Sequence, residues 1–145
     1  MKPVRDASGN RYLLVKRSAD SSRVRDPETG EERYVPTADL EPISDESGLE
    51  TAAAAVAPAS VRRVLTAVHD DRSLGLLVAL VDRGPLSVRE LLDGTEYCES
   101  DLHGLLSELR AAGLIVEADA AGGRGYAATS VAEEAVDGLR SIGAE

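Results

Sequence analysis

Leu80-Val81-Asp82-Arg83-Gly84-Pro85-Leu86-Ser87-Val88-Arg89-Glu90-Leu91 is the stretch on which the fold turns. It closes an apolar helical stripe of Leu74, Leu77, Val78 and Val81, which starts after Asp71, a candidate N-cap. Gly84-Pro85 ends that helix, and Leu86 has room for a strand of one or two residues. Ser87-x-x-Glu90 is a capping box, the side chain and backbone of each residue matched to the other, and it opens a short helix with Val88, Leu91 and Leu92 inward. Downstream, Asp93-Gly94-Thr95 breaks the helix, and Leu102, Leu105, Leu106 and Leu109 mark another over residues 100–112, stopped by Gly113. Residues 114–118 alternate as a strand, 120–125 form a glycine-rich tip, and 126–129 return. Ser130-x-x-Glu133 reads as a second capping box, for a helix carrying Val131, Ala135, Leu139 and Ile142. Upstream, Pro58 fits a first helical turn, followed by Val61, Val64, Leu65 and Val68.

The order is therefore helix, short strand, helix, turn, helix, hairpin, helix. With the quoted stretch, with Leu105-Leu106-Ser107-Glu108-Leu109-Arg110-Ala111-Ala112-Gly113-Leu114-Ile115 and with the Gly122-Gly123-Arg124-Gly125-Tyr126 tip, residues 72–142 resemble the winged helix-turn-helix domain of prokaryotic transcriptional regulators. The resemblance implies an α+β chain whose 100–112 helix enters the major groove of double-stranded DNA, its N-terminal residues nearest the bases. It implies DNA contacts from Arg89, Ser100, His103, Ser107, Arg110 and Arg124, with Arg124 at the wing tip and Arg89 in a first helical turn whose N–H groups favour an anion. It also implies a homodimer, paired through the helices that run from Pro58 to His69 and from Ser130 to Ile142. One helix departs from the pattern. Its outward positions hold Asp101, His103, Gly104, Ser107, Glu108 and Arg110, and the first half lacks the Arg, Lys, Asn or Gln that make bidentate base contacts. An acidic face of this kind also fits a non-catalytic protein–protein adaptor on the same fold.

Charge frames both expectations. The 145 residues hold 16 Lys+Arg against 26 Asp+Glu, a net of −10 that runs against the basic footprint of a nucleic-acid binder. Lys2 and Lys16 are the only lysines, and Phe and Trp are absent. Such acid-rich, lysine-poor composition resembles the proteins of haloarchaea, where carboxylates hold hydrated cations and salt screens repulsion. By segment, residues 1–43 carry eight charges of each sign, 44–59 three acids, and 60–145 eight basic and fifteen acidic residues. The negative balance thus falls on the helical segment.

Residues 1–43 alternate like a small antiparallel four-stranded meander, with turns at Ala7-Ser8-Gly9-Asn10, at 18–22 and at Asp26-Pro27-Glu28-Thr29-Gly30-Glu31. Parity places Tyr12, Leu14, Val24 and Tyr34 on one face, and Arg11, Arg17, Arg23, Arg25 and Arg33 around Leu13 and Val15 on the other. With the tyrosines opposite the arginines, that face lacks a stacking platform for unpaired bases, and cross-strand pairing with Asp26, Glu28, Glu31 and Glu32 accounts for the cations. Residues 44–59 read as an acidic, alanine-rich linker with scope for helix through its alanines.

Enzyme chemistry finds no support. His69 and His103 have no metal-spaced partners, no phosphate-binding glycine loop follows a strand, and no cofactor or metal is implied. Cys98 alone excludes an internal disulfide; it is a small turn residue or a redox-sensitive thiol at a helix start. No 18-residue apolar run and no signal-peptide core are present, so a cytoplasmic protein is the expectation.

Overall fold

A computed structural model describes residues Met1–Ala144. The chain divides into two compact α+β units, the first Met1–Pro58 and the second from Ala59 onward.

The first unit is an antiparallel sheet of β1 (Lys2–Arg5), β2 (Arg11–Lys16), β3 (Ser21–Arg25), β4 (Glu32–Pro36) and β5 (Glu41–Pro42), in the order β4-β3-β2-β1-β5. The expected four-strand meander gains a fifth strand because the chain turns back after Leu40 and pairs Pro42 with Val4 at the sheet edge. Two residues are too few to alternate, and proline is tolerated at an edge, so the sequence pattern does not signal this strand. Val4, Tyr12, Val24 and Leu40 form the core, with Leu14 and Val35 packed against it. A small polar knot closes the ends of β2 and β3. Thr37 Oγ1 donates to the Ser18 carbonyl at 2.6 Å and meets the buried Ser22 Oγ at 2.7 Å.

Two assignments of the sheet faces are corrected by the register. Leu14 pairs with Val24 and Val24 with Arg33, so Arg33 lies on the core side, its guanidinium 5.9 Å from the centre of the Tyr12 ring. Tyr34 pairs with Arg23 and therefore stands on the arginine side, 70% exposed. Residues 44–59, read as a linker, contain α1 (Gly48–Val56), which packs against β1 and β2 within the first unit. Ser47 caps it, its hydroxyl accepting from Leu49 N–H at 3.2 Å.

The second unit comprises α2 (Ala59–Ala67), α3 (Asp71–Arg83), β6 (Leu86–Ser87), α4 (Val88–Gly94), α5 (Glu99–Ala111), β7 (Ile115–Ala120), β8 (Gly123–Ala128) and α6 (Ser130–Gly143). Its three-stranded antiparallel sheet runs β6-β8-β7. The core is aliphatic: Leu77, Leu80, Leu102, Leu106, Leu109, Leu114 and Ile115 are all at most 1% exposed. Gly113, at φ +75°, ends α5, with Gly113 N–H donating to the Arg110 carbonyl and Leu114 N–H to the Leu109 carbonyl, both at 3.0 Å. This pair of hydrogen bonds is the Schellman closure, which needs the left-handed residue that glycine supplies without strain.

Three helices bury faces rotated from those expected. α3 buries Ser73, Leu76, Leu77 and Leu80, while Leu74, Val78 and Val81 are half-buried. Its cap is Asp70, one residue earlier than Asp71, with Oδ1 accepting from Ser73 N–H at 2.8 Å. α2 buries Val61, Val64 and Ala67 and leaves Leu65 65% exposed. α6 buries Ala132, Ala135 and Val136 and leaves Ile142 exposed, and its cap is Thr129, not Ser130. α2 packs on α6, and α3 on α6 and β8.

Gly125 holds the sheet together by having no side chain. It pairs with Ser87, and a β-carbon there would lie 2.0 Å from the Leu86 carbonyl oxygen. Gly125→Ala is therefore expected to part β8 from β6 and to lower the denaturant midpoint of unfolding. Leu77→Ala, at a site with no exposure, is expected to cost about 2–5 kcal/mol in the same measurement.

Candidate nucleic-acid interface

α5 and the β7–β8 hairpin carry most of the residues proposed from sequence. Leu102, Leu106 and Leu109 turn one side of α5 into the core, which leaves Ser100, Asp101, His103, Gly104, Ser107, Glu108 and Arg110 exposed. The helix begins at Glu99, so another carboxylate joins the exposed face. His103 Nε2 lies 3.9 Å from Glu99 Oε1, one turn away. No side chain caps this helix; Cys98, at the cap position, is exposed with its Sγ 3.5 Å from Ser100 Oγ.

Arg124 is not at the tip. β7 and β8 are joined by the two residues Ala121 and Gly122, and Arg124 lies within β8 opposite Asp119. The strand extends further than its sequence pattern implies because Gly123 and Gly125 still supply backbone pairing without side chains to alternate. Arg124 nevertheless projects outward, with an 85% exposed side chain. It shares a carboxylate with Arg110: Glu117 Oε1 accepts from Arg110 Nη1 at 3.1 Å, and Glu117 Oε2 lies 3.5 Å from Arg124 Nη2. The arrangement gathers two arginines, one from the helix and one from the hairpin, around one acid. Sequence spacing gives no sign of it, since the three residues come from three elements.

Arg89 stands apart from that cluster. It is exposed in the first turn of α4 and forms no ion pair among the described residues. The expected anion-binding helix end is occupied internally. Glu90 Oε1 accepts from Ser87 N–H at 3.1 Å while Ser87 Oγ accepts from Glu90 N–H at 3.0 Å, so a carboxylate already faces the first turn. Arg89 thus offers its guanidinium alone.

The segment leading into α5 is fastened by an interaction that sequence reasoning missed. The Arg72 guanidinium lies 4.4 Å from the centre of the Tyr97 ring, joining the start of α3 to the turn before α5. Contacts of this kind are worth about 0.5–1 kcal/mol at exposed sites. They border a groove of about 340 Å³ between α3 and α4, floored by Leu76, Leu86 and Leu91. Among the described residues no three His, Cys, Asp or Glu side chains are grouped to hold a metal ion. No described helix is long and apolar enough to cross a membrane.

The comparison that decides kinship covers nearly the whole chain. A family model matches residues 1–140. The chain belongs to DUF7346, a family of unknown function. No curated protein and no solved structure matches it. The matched span takes in the sheet-bearing unit entirely and the helical unit into its last helix, so both are parts of the family's common chain.

Two aspartates couple this unit to pH. The Ser73 hydroxyl and then its N–H hold Asp70 below the ordinary carboxyl value. Asp82 is lowered chiefly by Arg140, which reaches from α6 to α3 with a two-pronged contact at 2.9 and 2.6 Å. A carboxyl whose folded pKa is depressed stabilises the fold above its unfolded value, and that contribution disappears as pH falls through the folded value. The thermal midpoint is therefore expected to drop as pH is lowered below about 4. Asp82→Asn should flatten that acid limb relative to the parent.

Proposed function

We propose that the second unit is a winged helix-turn-helix and that the protein is a DNA-binding transcriptional regulator acting as a homodimer. The observation that carries this reading is the sheet order β6-β8-β7 joined to α3, α4 and α5, with the hairpin tied to the end of α5 through Glu117 and Arg110. In this reading α5 lies in the major groove and the hairpin rides on the adjacent backbone. His103 and Ser107 donate to bases or phosphates, Arg89 meets a phosphate, and Arg110 and Arg124 exchange Glu117 for phosphate oxygens. The exchange is electrostatically natural, because an arginine fork binds phosphate and carboxylate in the same geometry. α2 and α6 supply the dimer contact, and exposed Leu65 and Ile142 are the apolar side chains available for it. The acidic, lysine-poor composition supports a salt-rich cytoplasm as the working medium, where repulsion between α5 and the duplex is screened.

A second reading follows from Glu99, Asp101 and Glu108 on the exposed face of α5, opposed there by Arg110 alone. On that reading the fold is a protein-interaction adaptor, and the partner's surface is basic.

Retention of genomic DNA fragments in molar KCl separates the two. The regulator reading expects sequence-selective retention that Arg89→Ala/Arg124→Ala abolishes; absence of retention from low to molar salt leaves the adaptor. Glu117→Gln is expected to raise affinity for retained fragments several-fold, since the carboxylate that Arg110 and Arg124 share is then gone. Sedimentation of Leu65→Glu/Ile142→Glu should give a monomer where the parent gives a dimer.

A further inference from the structure

We infer that the arginine side of the first unit's sheet binds single-stranded nucleic acid, stacking an unpaired base on Tyr34 and holding phosphates with Lys16, Arg17 and Arg23. This surface is independent of the winged-helix reading of the second unit. Its basis is a register that brings together residues which parity counting had separated. Lys16 pairs with Arg23 and Arg23 with Tyr34, so two cations and an aromatic ring stand in one row across β2, β3 and β4. A bulge between Leu14 and Lys16 shifts Lys16 into this row. Arg17 follows directly in the turn, and Arg25 is on the same side as Arg23 two residues along β3.

The ring is the informative member. The chain has four tyrosines and neither Phe nor Trp, so aromatic surface is scarce. Tyr12 is in the first core, Tyr97 lies under Arg72, and Tyr126 is half-buried in β8. Tyr34 alone is left open, at 70% exposure, where it contributes little to burial.

The cations are likewise poorly explained by stability. Lys16 directly opposite Arg23 is a like-charge pair, which disfavours the sheet. Of the acids proposed from sequence to answer this face, Glu32 alone pairs with it. It serves both Arg25, at 2.9 Å, and Arg23, at 3.5 Å, and among the described residues Lys16 and Arg17 have no ion pair. Asp26 is instead a turn residue, its Oδ1 accepting from Glu28 N–H. A chain of net charge −10 therefore concentrates four cations against one acid beside its single open ring.

Lys16, Arg17 and Arg23 fit a polyanion, and the ring selects its type. A base paired within a duplex has both faces covered by its neighbours, whereas an unpaired base stacks on an exposed aromatic ring whatever its identity. A lipid headgroup or an acidic peptide would use the cations and leave Tyr34 without a role.

The test is fluorescence polarisation of labelled dT15 with the full chain, titrated at several KCl concentrations. Three phosphate contacts predict a slope of log affinity on log salt of about −2 for a single strand. Tyr34→Ala should weaken binding about tenfold, the loss of one stacked base, and Tyr34→Phe should restore it. Lys16→Ala/Arg17→Ala should weaken binding and flatten the salt slope. The inference is overturned if dT15 does not bind at 0.1 M KCl. It is equally overturned if Tyr34→Ala binds as tightly as the parent, or if anionic vesicles compete dT15 away from parent and Tyr34→Ala alike.

Discussion

The approach of Gly125 to the Leu86–Ser87 strand, closer than any β-carbon allows, is the constraint on which the second unit depends. β8 is the central strand, and its two neighbours lie next to the ends of three helices. β6 begins three residues after α3 and runs directly into α4, while β7 begins four residues after α5. Backbone pairing across this small sheet is directional, in contrast to the burial of leucines, which is strong but indifferent to orientation. The leucine core supplies the driving force, and the sheet fixes where the end of α5 and the hairpin stand with respect to each other. The Schellman closure at Gly113 and the hydrogen bond from Thr129 Oγ1 to the Gly113 carbonyl, at 2.7 Å, complete the fastening at the other end of β8.

Electrostatics within each unit is organised at shorter range than the net charge implies. In the second unit, carboxylates are used locally: Asp70 and Glu90 face helix starts, Asp82 ties α3 to α6, and Glu117 holds Arg110 and Arg124. These acids are committed to structure or to an arginine, so they repel an approaching phosphate less than the bare count indicates. Glu99, Asp101 and Glu108 remain on the open side of α5. In the first unit Arg23 and Arg25 stand on the side of the sheet opposite Val24, with Lys16 in the same row as Arg23, while Arg33 lies on the core side. Membership of DUF7346 spans both arrangements, so any account of the family's function has to include the sheet as well as the helices.

Signals confined to one turn of chain were readable without tertiary knowledge. The Ser87–Glu90 capping box satisfies its own donors and needs no partner element. The leucine stripe of α5 and the glycine after it are likewise local, and α5 starts within one residue of its expected position. Faces that depend on a neighbour were less legible. Leu65 and Ile142 belong to apolar stripes by spacing, yet the packing of α2 on α6 uses Val61, Val64, Ala132, Ala135 and Val136. An alternating pattern also cannot say which strands pair at which residue. The turn closed by Asp26 and Glu31 sets β4 so that Arg33, not Tyr34, shares the core side with Val24.

The sequence by itself determined the order and kind of the elements in the second unit, because helix caps, apolar periods and glycine stops act within a few residues. It also determined the charge distribution along the chain. Only the tertiary structure decided the strand registers, the fifth strand, the place of α1 in the first unit and the meeting of Arg110, Arg124 and Glu117. Each of these joins residues distant along the chain or sets one strand against another. Sheet pairing and ion pairing across elements depend on geometry that no local pattern contains, and a shift of one residue in register was enough to turn Tyr34 from the core side to the side of the arginines.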